Sequence, residues 1–194
     1  KNTCEWYGHK YLIHMPDAGS KVELITQLMH KVSGKQFNEF YVDKYGSKKE
    51  IRNRLTKQEV MNLAPMVLDM FKIFSPKGKG SKNVTPLEYW KYAADNKSKL
   101  GIFGAVIDSW NYMKHDTEGF SREDKWLESV LSQRNMIAEE NGLHFHTIIH
   151  PKSEKKNKEG KTVMPDMYSL KGGSEWPNNA KSIIIVHREF GSNI

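Results

Sequence analysis

Short apolar runs alternating with longer amphipathic stretches constrain this chain more than any other feature, because a parallel sheet with helical crossovers requires that pattern. Five segments read as strands: 10–15, 70–75, 103–108, 143–149 and 182–188. Three of them are near-continuous β-branched or aromatic runs, as in strands covered on both faces. Between the strands, apolar positions recur at steps of three and four. Residues 20–33 place Val22, Ile25, Leu28, Met29 and Val32 on one stripe, with Ser20 as N-cap, Glu23 three positions on and Gly34 just past the end. Segment 57–69 repeats the device, with Thr56 and Glu59 ahead of Val60, Leu63, Val67 and Leu68, and Pro65 predicts a bend. A third helix is expected from Thr85-Pro86, and a fourth over 122–141, starting from Ser121 and burying Trp126, Val130, Met136 and Ile137. Segments 38–54, 76–83 and 151–181 break the alternation. The last is longer than a compact domain normally leaves irregular, and its first part carries Lys152, Lys155, Lys156, Lys158 and Lys161.

A chain of 194 residues suits one domain with a sizeable core. Its longest apolar run, Phe103 to Ile107, is far short of the roughly 20 residues that span a bilayer, and residues 1–20 lack the apolar stretch of a secretory leader. Cys4, the single cysteine, has no partner for an internal disulfide or a Cys-pair zinc site, so a reducing, cytoplasmic setting is expected. Thirty Lys plus Arg against 23 Asp plus Glu give a net charge of +7, which favours an anionic partner such as nucleic acid or nucleotide.

The stretch Phe103-Gly-Ala-Val-Ile-Asp108-Ser-Trp-Asn111 is the most informative chemically. Ligands of open α/β sheets bind at the carboxyl ends of strands, and an apolar strand ending in Asp is the Walker B arrangement, in which the carboxylate acts on Mg²⁺. The alternative is that Asp108 serves as a turn or cap residue. A second stretch places His144, His146 and His150 at the same strand parity, which offers a histidine-metal site and a hydrolase as a rival reading. It contains no Asp or Glu partner at suitable spacing, and His150 sits beside Pro151 where strand pairing breaks. Gly160-Lys161-Thr162 and Gly78-Lys79-Gly80-Ser81 mimic the end of a phosphate-binding loop. Neither has the required glycine spacing, and both read as solvated loops.

Taken in order, these residues resemble the RecA-type motor domain of replicative helicases, in the Twinkle-like and phage primase-helicase branch of the DnaB group. The resemblance rests on Val106-Ile-Asp-Ser-Trp-Asn111, on His150-Pro-Lys152, and on Tyr168-Ser-Leu-Lys-Gly-Gly-Ser-Glu-Trp176 followed by Asn179-Ala-Lys-Ser-Ile-Ile-Ile-Val-His-Arg188. It is sharpest over 103–188 and fainter over 6–75, where Met15-Pro16-Asp17 stands in place of the family's Ser-Pro-Glu. The resemblance implies a RecA-like P-loop NTPase fold of α/β class, ATP and Mg²⁺ as cofactors, single-stranded DNA as partner, and a homo-oligomeric, hexameric ring. By the same resemblance Asp108 would serve Mg²⁺, Asp17 would activate the attacking water, and His150 would sense the γ-phosphate. Lys152, Lys155, Lys156, Lys158, Lys171, Gly172 and Gly173 would then face the DNA channel. The chain is expected to be an interior piece of one RecA-like core, with the Walker A segment and the arginine-finger strand outside residues 1–194, and to be inactive by itself. A basic DNA-binding or assembly module of the same fold, without turnover, is the alternative.

Overall fold

Four of the five expected strands form, and they pair into one sheet. The computed structural model describes residues 2–17, 20–37, 40–42, 45–76, 80, 83–151, 163–170 and 172–187. In chain order these contain α1 (Asn2–Tyr7), β1 (Tyr11–His14), α2 (Lys21–Ser33), β2 (Phe40–Val42), β3 (Lys48–Glu50), α3 (Lys57–Met70), β4 (Phe71–Ile73), α4 (Pro86–Asp95), α5 (Lys97–Leu100), β5 (Gly104–Asp108), α6 (Glu123–Asn141), β6 (His144–Ile148) and α7 (Glu175–Asn179). The sheet order is β4-β1-β5-β6 and every pairing in it is parallel. Segment 38–54 holds an antiparallel pair, β2 with β3, that the sequence pattern did not announce.

Helix starts follow the local chemistry. The Ser20 hydroxyl accepts from the Glu23 backbone N–H, and Thr56/Glu59 and Thr85/Glu88 form reciprocal capping boxes at α3 and α4. Gly34 and Gly142 adopt the left-handed conformation that ends α2 and α6. Pro65 lies inside α3, which continues through it to Met70. Alternation along the strands splits the core in two. Leu12, Ala105 and Ile107 face α4, α6 and α7, whereas Ile13 and Phe71 face α1, α2 and α3.

Three expectations need correction. Met136 is 57% exposed, because the buried stripe of α6 runs through Trp126, Leu127, Val130, Leu131 and Arg134, and Met136 lies half a turn away from Leu127. Val22 points outward for the same reason, and Leu24 takes the inner position. The run expected to be a fifth strand over 182–188 is not one. Residues 182–187 form no strand, with Ile184 and Val186 87% and 90% exposed. A β-branched run becomes a strand only where a neighbouring edge takes up its backbone hydrogen bonds, and these residues pair with no strand among the described residues.

Candidate functional site

Parallel pairing brings strand ends together without regard to distance in sequence, and β1, β5 and β6 are neighbours in the sheet. His14, the last residue of β1, pairs with Ile107, and Asp17 follows three residues later. Asp108 is the last residue of β5 and pairs with Ile148, so His150 lies two residues beyond that pair. Asp17, Asp108 and His150 therefore share the carboxyl border of the sheet, where α/β folds place ligands.

Close strand approach at the opposite, amino end of the sheet fixes the pairing of β5 with β6. A Cβ at Gly104 would stand 2.2 Å from the carbonyl oxygen of His144, so only glycine allows β5 to lie this near β6. On the other side, the buried Tyr89 hydroxyl donates to the carbonyl oxygens of Leu12 at 2.8 Å and Val106 at 3.0 Å, tying α4 to both β1 and β5. After Asp108 the chain turns inward. Ser109 is fully buried, and Trp110 packs among Trp90, Trp126, Trp176 and His115, with ring centroids 5.0–6.0 Å away. Asn111 emerges from this anchored turn and pairs with the His150 backbone. Its Oδ1 accepts from the His150 N–H at 2.8 Å, and its Nδ2 donates to the His150 carbonyl oxygen at 3.3 Å.

Electrostatics mark Asp108. Burial pushes its carboxyl above the ordinary aspartate value, the charge of Asp17 pushes it further, and His150 pulls it partly back. A carboxylate whose proton affinity is raised by burial and by a second carboxylate nearby is suited to a divalent cation, and Mg²⁺ takes one or two protein carboxylates and fills its remaining positions with water and phosphate oxygens. The raised value also fixes a stability trend. Between the ordinary aspartate value and the raised one, the folded state holds more protons than the unfolded state, so stability falls as pH rises through that window. Asp108→Asn, which removes the charge, should melt higher than the wild type at pH 7 without metal, by roughly 1–3 °C because solvent screens this half-buried group. The difference should vanish below about pH 3.5, where Asp108 is protonated in both states. A melting curve for the variant at or below the wild type at pH 7 would contradict the raised carboxyl of Asp108.

The three-histidine alternative does not assemble. His144 stacks on Phe103 and His146 meets the edge of Tyr11, with burial and then His144 holding the His146 imidazole below its ordinary value, whereas His150 lies beyond the end of the strand. No group of three or more His, Cys, Asp or Glu able to hold a metal occurs among the described residues.

Of the residues expected to face DNA, Lys152, Lys155, Lys156, Lys158 and Lys171 lie outside the described residues. Gly172 and Gly173 are described, both with positive φ. Gly172 sits so close to α6 that a Cβ would come 2.1 Å from Leu127 Cδ2, and Gly173 is open. Buried Trp176, edge-on to Trp110, docks this segment, and Arg134 and Asn135 of α6 both donate to the Asn179 carbonyl oxygen. Gly172 thereby reaches a small cleft that it lines with Asn111, Ile149 and Leu127. Sequence reasoning missed Gly104, Tyr89 and Arg134, and quoted Asn111 without giving it a role. A glycine opening an apolar strand was the one available signal among them.

No helix among the described residues is long and apolar enough to cross a membrane. No protein-family model matches the chain. The Twinkle homolog protein, chloroplastic/mitochondrial, of Arabidopsis thaliana is 26% identical over 95 residues, which cover 49% of this chain and 13% of that protein. A solved DnaB-like replicative helicase, described with its interactions with primase, superposes with a TM-score of 0.56 at 11% identity, covering 90% of this chain and 40% of the other. The chain thus spans well under half the length of either relative. Fold over most of the chain and sequence over half of it converge: this is a RecA-like α/β domain similar to those of Twinkle and DnaB-like replicative helicases.

Proposed function

We propose that these residues form part of the motor of an ATP-dependent replicative DNA helicase that translocates on single-stranded DNA as a ring of identical subunits. The supporting observation is the convergence of Asp108, Asp17 and His150 on adjacent strand ends, with Asp108 electrostatically coupled to both others. Asp108, with Asp17 beside it, would hold Mg²⁺ and through it the nucleotide phosphates. Bound Mg²⁺ would supply charge neutralisation at the phosphoryl oxygens. Asp17, exposed in the turn after β1, would orient a water, and His150 would meet the terminal phosphate. The complete protein should hydrolyse ATP only with a divalent cation present, and faster with single-stranded DNA. Hydrolysis that survives chelation unchanged, or no hydrolysis under any of these conditions, would overturn the reading.

DNA contact is assigned to the lysines after the sensor strand and to the Lys171-Gly172-Gly173 turn. Lys152, Lys155, Lys156, Lys158 and Lys161 in 151–162 outnumber Glu154 and Glu159, and the net charge of +7 points the same way. Each phosphate contact on a single strand releases about 0.7 counterion, so replacing Lys155, Lys156 and Lys158 by Ala should flatten the log-log salt dependence of binding by up to about 2 units. All sequences should weaken alike, because phosphate contacts do not read bases. An unchanged slope and affinity would return the segment to a solvated surface.

A further inference from the structure

We infer that Asn111 is a positioning residue that couples DNA occupancy to the nucleotide site, by clamping the backbone of His150 while lining the cleft that receives the Gly172 turn. The inference rests on the helicase reading and adds to it the connection between its two sites. Strand β5 ends at Asp108, where its last pair with β6 is formed with Ile148. Beyond that point β6 would lose its neighbour. Asn111 replaces it, since a side-chain amide presents one acceptor and one donor in the arrangement of a backbone peptide. It takes both polar groups of His150, at 2.8 Å on the N–H and 3.3 Å on the carbonyl. The next residue, Pro151, has no N–H and restricts His150 to extended backbone. His150 is thus fixed from one side by Asn111 and from the other by proline.

Asn111 is itself fixed at its root. Trp110 before it is buried against Trp90, Trp126 and Trp176, so the backbone that carries the amide cannot shift without moving the aromatic cluster. Trp176 belongs to the segment that carries Gly172, and Gly172 shares with Asn111 and Ile149 the cleft beside His150. A displacement of the Gly172 turn by a DNA strand would therefore press on Leu127 and Trp176 and reshape the cleft that Trp110 and Asn111 also line. Ile149, between Ile148 and His150, sits in that cleft as well, so the same displacement would act on both ends of the clamp.

Asn111→Ala and Asn111→Gln in the complete protein test this. Hydrogen exchange at the His150 amide should speed at least tenfold in Asn111→Ala, with the amides inside β6 unchanged. The DNA-stimulated kcat for ATP hydrolysis should fall tenfold or more, with KM for ATP within about threefold of the wild type and most of the stimulation by single-stranded DNA gone. Asn111→Gln, which keeps the amide, should recover part of the stimulation. A merely structural role would instead lower kcat in proportion to the unfolded fraction and would be relieved by cooling. That outcome, an unchanged His150 exchange rate, or a variant with wild-type DNA stimulation overturns the inference and leaves the helicase reading standing. Absence of ATP hydrolysis in the wild type overturns both.

Discussion

Asp108→Asn should reduce ATP turnover by the complete protein by about 10³-fold or more, the loss expected when several kcal/mol of metal-centred charge stabilisation disappear from a phosphoryl-transfer site. The substitution is nearly isosteric at the last position of β5, so the pairing with Ile148 and the buried turn at Ser109 and Trp110 should persist. Folding and most of the affinity for single-stranded DNA should persist with them. The structure adds a condition that makes the result diagnostic. Because Asp108 is held above its ordinary value by burial and by Asp17, the inactive variant should be slightly the more heat-stable protein at neutral pH without metal. A dead enzyme that gains stability separates loss of a functional charge from loss of fold. Turnover at the wild-type level would refute the metal-ligand role.

The largest effect on stability is expected from Trp90→Ala. Trp90 is fully buried in α4, its ring lies 6.0 Å from that of Trp110 and 5.9 Å from that of Phe145, and the Arg134 guanidinium stands 6.0 Å from its centre. Truncation there should cost about 3–5 kcal/mol, a large share of the roughly 5–15 kcal/mol that holds a domain together, and should lower the melting temperature by about 10 °C. Met136→Ala, on the exposed side of α6, should stay within about 0.5 kcal/mol and serves as the control. Urea unfolding followed by circular dichroism compares the two, and equal midpoints would mean that the aromatic cluster does not organise the core.

The two contributions of the sequence, pattern and chemistry, were legible to different degrees. Helix starts were readable because a cap is local: Ser20/Glu23, Thr56/Glu59 and Thr85/Glu88 each act within one turn. Strand identity was readable for β5 and β6, where a run of β-branched and aromatic residues coincides with a partner, and misleading for 182–187, where the same composition has none among the described residues. The pair β2 and β3 escaped notice because Lys48–Glu50 is charged throughout and shows no alternation of apolar residues. At the site, Asp108 and His150 were visible because each ends an apolar run. Asn111 was not, since its role depends on a backbone 39 residues away and on no pattern in its own neighbourhood. Arg134 was missed for a related reason. A charged residue reads as exposed from sequence alone, yet here it is buried and donates to a carbonyl of the α7 segment.

The aromatic cluster has an optical consequence. Of five tryptophans, Trp90, Trp110, Trp126 and Trp176 are buried together around the turn that follows Asp108, and Trp6 stands alone and 73% exposed. Clustered indoles exchange excitation, and emission from the buried group is blue of that from an indole in water. Trp110 also has the His115 ring at 5.2 Å. The intrinsic emission of this domain is therefore dominated by side chains clustered around Trp110, two residues from Asp108, and one contact from the Gly172 turn, and Trp6 supplies a red-edge reference within the same spectrum. Substituting Trp6 alone leaves an unlabelled protein whose fluorescence reports only on the environment of the turn that follows Asp108.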